Sequence, residues 1–296
     1  MTSDRATTLD VRILSRIHDL AVAEVLFAAT WPGQPPATAA LLKAIEHAGG
    51  YVAGAYATDD GAAWRAGDMV GAAAGFLAAH PGPALHSHLA AVVPAARGLG
   101  VGSALKTHQR AWAAEQGLTA VTWTFDPLVR RNAWFNIAKL GAAVEEYLVD
   151  FYGPMDDGIN DGDASDRLLA VWPVPSRGDH AIPADHAIQT DHVAGSSLDR
   201  LGLHDQRELH DQRELHDHGA VALEDVDGRP VRRRVGDGAG LLAVATPADV
   251  ETLRRTEPGL AHAWRLAVRE QLEPRLSGGG HIVGFTRSGS YLVIPA

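Results

Sequence analysis

The run Ala91-Val-Val-Pro-Ala-Ala-Arg-Gly-Leu-Gly-Val-Gly-Ser103 constrains this chain more than any other stretch. It reads as the end of a β-strand, a tight glycine-rich turn and the first turn of a helix. Gly98, Gly100 and Gly102 have no side chains, so backbone N–H groups there can approach a ligand closely. The helix that follows adds the positive end of its dipole, which suits the corner to an anionic group such as a pyrophosphate. Arg97 stands at the mouth as a second anion contact. A glycine-rich turn by itself would equally serve a nucleotide or dinucleotide, or only join a strand tightly to a helix.

The order of residues narrows the choice. A nucleotide P-loop would place Lys-Ser/Thr after the last glycine, but Ser103 and Ala104 follow Gly102. The Gly-x-Gly-x-x-Gly spacing of dinucleotide folds is absent as well. Arg97-Gly98-Leu99-Gly100-Val101-Gly102, with Val92 and Pro94 upstream and a helix downstream, resembles the coenzyme A pyrophosphate loop of the GNAT acyltransferases. The resemblance spans roughly residues 8–173 and implies an α/β (α+β) fold of the GNAT kind, a mixed central sheet with flanking helices. It also implies acetyl-CoA, or another acyl-CoA, as co-substrate. The residues it assigns to that carrier are Val92, Val93, Arg97, Gly98, Leu99, Gly100, Val101, Gly102 and Ser103. By the same resemblance, a β-bulge near Val92 or Val93 opens the strand and turns a backbone N–H toward the oxyanion.

Composition removes several alternatives. The chain has 296 residues, enough for one large domain or two smaller ones. A net charge of −10 argues against a nucleic-acid partner. With no cysteine there is no disulfide, no thiolate zinc site and no cysteine nucleophile, which fits a cytoplasmic protein. Met1-Thr-Ser-Asp-Arg-Ala lacks the pattern of a signal peptide, and no apolar run nears the ~20 residues that cross a bilayer. The partner expected is a small-molecule amine or amino acid, with a homodimer left open.

Periodicity orders the elements. Asp10–Leu14 reads as a strand, Ile17–Trp31 and Thr38–His47 as helices, and Tyr51–Ala57 and Met69–His80 as paired strands. Leu85–Val93 is the strand entering the glycine corner, and the helix beyond it runs from Gly102 to about Gln116. Thr119–Phe125 alternates as a strand. Asp126-Pro127 reads as a capped start for a helix ending at Gly141, followed by strands at Glu146–Tyr152 and Leu168–Trp172. The order predicts a crossover between parallel neighbours over Leu85–Phe125.

The pattern then changes. Asp179-His-Ala-Ile, Asp185-His-Ala-Ile and Asp191-His-Val-Ala form a six-residue near-repeat, and His204-Asp-Gln-Arg-Glu-Leu recurs at His210–Leu215. Too little there is apolar for a core, so 176–219 reads as a low-complexity His/Asp-rich linker. Histidines six apart on such a chain fix no coordination geometry, and no metal is expected. Order returns near Ala220: a hairpin at Asp227-Gly228, a helix opened by Thr246-Pro-Ala-Asp249, an apolar face of Leu260, Trp264, Ala267, Val268 and Leu272, and a closing hairpin. The expected division is 8–175 for the acyl-CoA-binding domain, 176–219 for the linker and 220–296 for a small C-terminal α/β extension.

Acyl transfer to an amine needs a base for the amine, a donor for the oxyanion and an exit for the thiolate. His86 and His88 sit two apart on the strand that leads into the corner, so they share a face, and imidazole titrates near neutrality. They also read as half-buried structural histidines, or as a metal pair lacking further ligands. The pair resembles the strand histidines of the arylalkylamine acetyltransferases, which implies a general base, His88 first. In Arg131-Asn132-Ala133-Trp134-Phe135, Asn132 resembles the asparagine that bonds the pantetheine arm, with Phe135 near it; solvent-facing and core placements are the plain alternatives. Ile137 stands where many members have the tyrosine that protonates the thiolate, leaving Tyr147, Tyr152 or water in its place, or departure unprotonated. The acidic loop Gly153–Asp166 lacks the calcium-loop pattern and reads as solvated. Arg167 borders the expected substrate mouth and could clamp a carboxylate, as could Arg131. The function expected is therefore an acyl-CoA-dependent N-acyltransferase, acetyl by default. An amino-acid acyl- or succinyltransferase and a non-catalytic coenzyme A sensor are the alternatives.

Overall fold

The computed structural model describes residues 9–31, 36–61, 63–79, 82–153, 163–175, 219–236 and 238–296. The N-terminal hexapeptide, most of the proline break, much of the acidic loop and the histidine repeats lie outside the described residues. The chain gathers into two compact units, Met1–Trp123 with Pro173–His180, and Thr124–Trp172 with Ala181–Ala296. This differs from the division expected at residues 175 and 220, because 124–172 gathers with the C-terminal residues.

The first unit contains β1 (Leu9–Ile13), α1 (Ile17–Thr30), α2 (Ala39–His47), β2 (Tyr51–Ala57), β3 (Met69–Ala78), β4 (Ala84–Val92), a short 3₁₀ turn at Pro94–Ala96, α3 (Val101–Glu115) and the start of β5 (Ala120–Phe125). The strands lie in the order β1-β2-β3-β4-β5. The first three pairings are antiparallel and β4–β5 is parallel, so the sheet is mixed, as expected. A parallel pair cannot be joined by a tight turn, and α3 makes the crossover. Alternation along the strands sends Val52, Ala72, Ala74, Leu89 and Ala91 to one face, where they pack with Leu20, Leu26, Phe27 and Leu42 of α1 and α2. Tyr51 points the other way, toward α3. Its hydroxyl shares a 2.8 Å hydrogen bond with His108 Nδ1, and its ring meets Trp112 edge-on.

The second unit holds α4 (Arg130–Ala133), which continues as a π-helical turn over Trp134–Lys139, then β6 (Ala143–Leu148) and β7 (Arg167–Pro173), an antiparallel pair. It also holds β8 (Ala220–Val226), β9 (Arg229–Arg232), β10 (Leu242–Ala245), α5 (Val250–Thr256), α6 (Pro258–Ser277), β11 (His281–Phe285) and β12 (Ser290–Ile294). These five strands form one sheet in the order β11-β12-β10-β8-β9. Asp227 and Gly228 take the positive φ angles, 50° and 79°, that a tight β8–β9 hairpin requires. Asp249 caps α5 by accepting the Thr252 N–H at 3.0 Å. No helix of the described residues is long and apolar enough to cross a membrane.

Two expectations fail in this unit. The helix expected from Asp126 starts only at Arg130. Asp126 instead accepts the Leu128 N–H at 2.9 Å and turns the chain, while its other contacts go to arginines more than 120 residues away. The acidic loop is not simply solvated: Asp163 and Asp166 are buried. Arg254 on α5 and Arg265 on α6 both reach Asp126 and Asp163. Arg269 holds Asp166, which also accepts the Tyr147 hydroxyl at 2.6 Å. Three arginines on the two helices thus neutralise carboxylates that burial alone would expel.

Candidate active site

The site is built on β4. Its parallel pairing with β5 covers Ala84–Ala120, Leu85–Val121 and His86–Thr122, and ends there. From Ser87 to Val92 the edge of β4 away from β3 carries no β5 ladder. On its other side β4 stays paired with β3, but the register shifts: Ala74 faces Leu89 and Gly75 faces Ser87. His88 is the extra residue, so the bulge falls at His88 rather than at Val92 or Val93. Gly75 makes the kink possible, since a Cβ there would lie 2.6 Å from the His86 carbonyl oxygen.

The bulge presents both imidazoles. His88 is exposed and His86 half-buried. Their ring centroids are 6.3 Å apart, with Phe76 of β3 at 5.2 Å from one and 5.6 Å from the other. His86 Nδ1 is 3.1 Å from the Thr122 hydroxyl. Burial, then the neighbouring His88 and Lys106 charges, pull His86 down to about 4. His88 keeps more of its surface in solvent, and the part of its ring packed against neighbours lowers it too, less strongly. Both rings are therefore held toward the neutral form, the form that accepts a proton.

The glycine corner follows on the same chain. Gly98 and Gly100 take φ angles of 83° and 85°, which residues with a side chain rarely adopt. Gly100 is the N-cap of α3 and offers no side-chain cap. The first amide to close on the helix is Ala104, which donates to the Gly100 carbonyl at 2.9 Å. The N–H groups of Val101, Gly102 and Ser103 thus project from the helix start without intrahelical partners. Arg97, Gly98, Leu99 and Gly100 are all exposed beside them. The arrangement can seat an anion on backbone amides at a helix end, with a guanidinium near.

Val93 needs a correction. Its N–H donates to the Val70 carbonyl at 3.0 Å and is not available to an oxyanion. By the alternation of an antiparallel ladder, the N–H of Val92 points away from β3, to the unpaired edge.

Residues 17–141 match the model of the acetyltransferase (GNAT) family. This segment is a GNAT acetyltransferase domain. Acyl transfer from coenzyme A is the chemistry of that family. No curated protein matches the chain. Solved structures similar to parts of it include an N-acetyltransferase from Staphylococcus aureus Mu50, at 14% identity over 57% of this chain and 100% of that one, TM-score 0.45. The ribosomal-protein-S18-alanine N-acetyltransferase from Escherichia coli is 16% identical over 59% and 99%, TM-score 0.44. Ard1 from Thermoplasma volcanium is 20% identical over 57% and 99%, TM-score 0.43.

Within the GNAT segment, β4 and the glycine corner fall in the first compact unit, whereas Asn132 and Phe135 fall in the second. Asn132 lies on α4 and Phe135 in the π-helical turn, where Lys139 Nζ lies 5.8 Å from its ring centroid. Arg167 is buried and donates to the Asp166 carbonyl at 2.8 Å, with its guanidinium 5.3 Å from the Tyr152 ring. Arg131, the other candidate clamp, is paired with Glu251 through its two terminal guanidinium nitrogens. Tyr147 is buried with its proton committed to Asp166, and burial raises its pKa far above that of an ordinary phenol. It is no acid for a departing thiolate, which corrects its place among the stand-ins for Ile137.

The residue that the sequence reading missed is Lys106. It sits on the buried face of α3, donates to Ser87 Oγ at 2.8 Å and lies 3.9 Å over the Trp123 ring. The available signal was a charge inside the apolar stripe Val101, Leu105, Ala113 of that helix.

Proposed function

We propose that the chain is an acyl-CoA-dependent N-acyltransferase, with acetyl-CoA as the default donor and a small amine as acceptor. One observation carries the reading. Within a single compact unit, the strand bearing His86 and His88 runs directly into an exposed, uncapped helix start beside Arg97.

The corner holds the pyrophosphate of the carrier through Arg97 and the N–H groups of Val101, Gly102 and Ser103. The thioester then lies along the unpaired edge of β4, where the Val92 N–H polarises its carbonyl. His88 takes the proton of the incoming ammonium, directly or through a water, with His86 behind it on the same strand. The neutral amine attacks the carbonyl carbon, the C–S bond breaks, and an amide and the coenzyme A thiolate are released. A thiol pKa near ~8.5 makes that thiolate a tolerable leaving group, with water as its proton source.

The test is free-thiol release by the full chain with acetyl-CoA and succinyl-CoA across a panel of amines and amino acids. Turnover with an amine supports the reading, and turnover only with amino acids moves the acceptor to that class. Silence with every pair overturns the enzyme and leaves a coenzyme A-binding module.

A further inference from the structure

Lys106 is 6% exposed, one turn beyond the glycine corner, on a helix face that also buries Val101, Leu105, Gln109 and Ala113. Its two partners come from two strands. It donates to Ser87 Oγ of β4 and stands over the Trp123 ring of β5. Ser87 and Trp123 are the first residues of those strands past their last pair, His86–Thr122. The ammonium therefore sits in the fork where β4 and β5 part, and Ser87 is flanked by His86 and His88. One turn further on, Gln109 is fully buried, with no partner for either amide atom among the described residues.

A charge buried with one hydrogen bond and one aromatic face is costly, and an unbranched apolar side chain of similar length would fill the space without that cost. A local rule broken at such a place points to function. We propose that Lys106 is a positioning residue for acyl transfer: it fixes the fork between β4 and β5 and so sets where His86 and His88 stand. The proposal rests on reading that pair as the base of an acyltransferase. The groups facing His86 are Phe76 of β3, His88 on its own strand, Thr122 of β5 and Lys106 of α3. Burial brings Lys106 itself down to about 7.

The experiment compares the full chain with K106M and S87A. K106M is expected to unfold at the wild-type temperature or above it, and to bind acetyl-CoA as wild type does in calorimetry, because the corner is untouched. Its kcat is expected to fall about tenfold to a hundredfold, the scale of a displacement near 1 Å at reacting groups. Its His86 imidazole resonance is expected to titrate at higher pH than in wild type, since a repelling charge is gone. S87A, the milder change, is expected to lower kcat in the same direction, and the double variant to be no worse than K106M alone. Wild-type kcat in both variants, or loss of stability with kcat unchanged, marks an ordinary core residue and overturns the proposal. A wild-type chain that releases no thiol with any acceptor defeats the acyltransferase reading instead. The His86 titration still decides the positioning claim, which an unchanged midpoint in K106M overturns.

Discussion

Arg265 meets Asp126 through two parallel hydrogen bonds of 2.8 and 3.0 Å, although 139 residues separate them in the chain. The arginine is wholly buried, and a third bond of 2.9 Å ties it to Asp163. Planar, two-pronged pairing is what a guanidinium offers and a lysine does not. Removing one partner of such a pair strands the other charge. Replacing Arg265 by Met is expected to destabilise the second unit by about 3–5 kcal/mol. Denaturant unfolding of the full chain, read at equilibrium, checks this.

The same cluster sets the response to acid. The arginines around Asp126 hold its carboxyl below the usual range, and Arg269 with Tyr147 does so for Asp166, in each case against the opposing effect of burial. A carboxylate with a depressed folded pKa stabilises in full above its unfolded value, near ~3.9, and the contribution is lost as pH falls through the folded value. Thermal midpoints should therefore drop steeply below about pH 4. Asp166→Asn should lower the neutral midpoint and flatten that drop.

His86 adds a second and milder acid limb. Its folded pKa of about 4 lies below the ordinary histidine value of 6.5, so between those pH values the unfolded chain binds the extra proton. Stability should thus decline as pH falls from about 6.5 to about 4, before the carboxylates titrate. His86→Phe should remove this slope between pH 6.5 and 4 while leaving the steeper one. Scanning calorimetry over that range separates the two.

If His88 is the base, His88→Ala should cost about 10²–10⁴ in kcat while leaving acetyl-CoA affinity unchanged. Because partial desolvation of the His88 ring lowers its pKa, the wild-type rate should hold up below pH 6.5 rather than fall at the ordinary histidine midpoint. Steady-state rates across pH, with binding measured in parallel, check both statements.

The glycine corner makes a prediction of a different kind. A Cβ at Gly98 or Gly100 would meet nothing within 4 Å, so sterics do not explain the glycines. The left-handed backbone does: Gly98→Ala or Gly100→Ala should each cost about 1–2 kcal/mol of stability, or shift the corner. Acetyl-CoA affinity should weaken in both variants, measured by calorimetry.

Much of this was legible in the residue order because it is local. Apolar runs between turn residues marked β2 and β3, alternation marked β5, the Arg-x-x-Gly-x-Gly order marked the corner with the strand that enters it, and Asp227-Gly228 marked its hairpin. What escaped was set by distant partners. Asp126 followed by Pro127 looked like a helix cap, yet its role is decided by Arg254 and Arg265. Asp163 and Asp166 sat in a run that reads as solvent-facing, and only residues about a hundred positions later make them buried. The bulge at His88 needs Gly75 across the sheet, which no reading of β4 alone supplies.

The grouping of 124–172 with the C-terminal residues bears on how this protein can be handled. A fragment stopping at residue 141 or 175 would look natural from the family match. The shorter would carry Asp126 and the longer Asp166 as well, but neither would carry Arg265 or Arg269. Such a fragment should be recovered as insoluble material, since the extension supplies the countercharges that let its neighbour close.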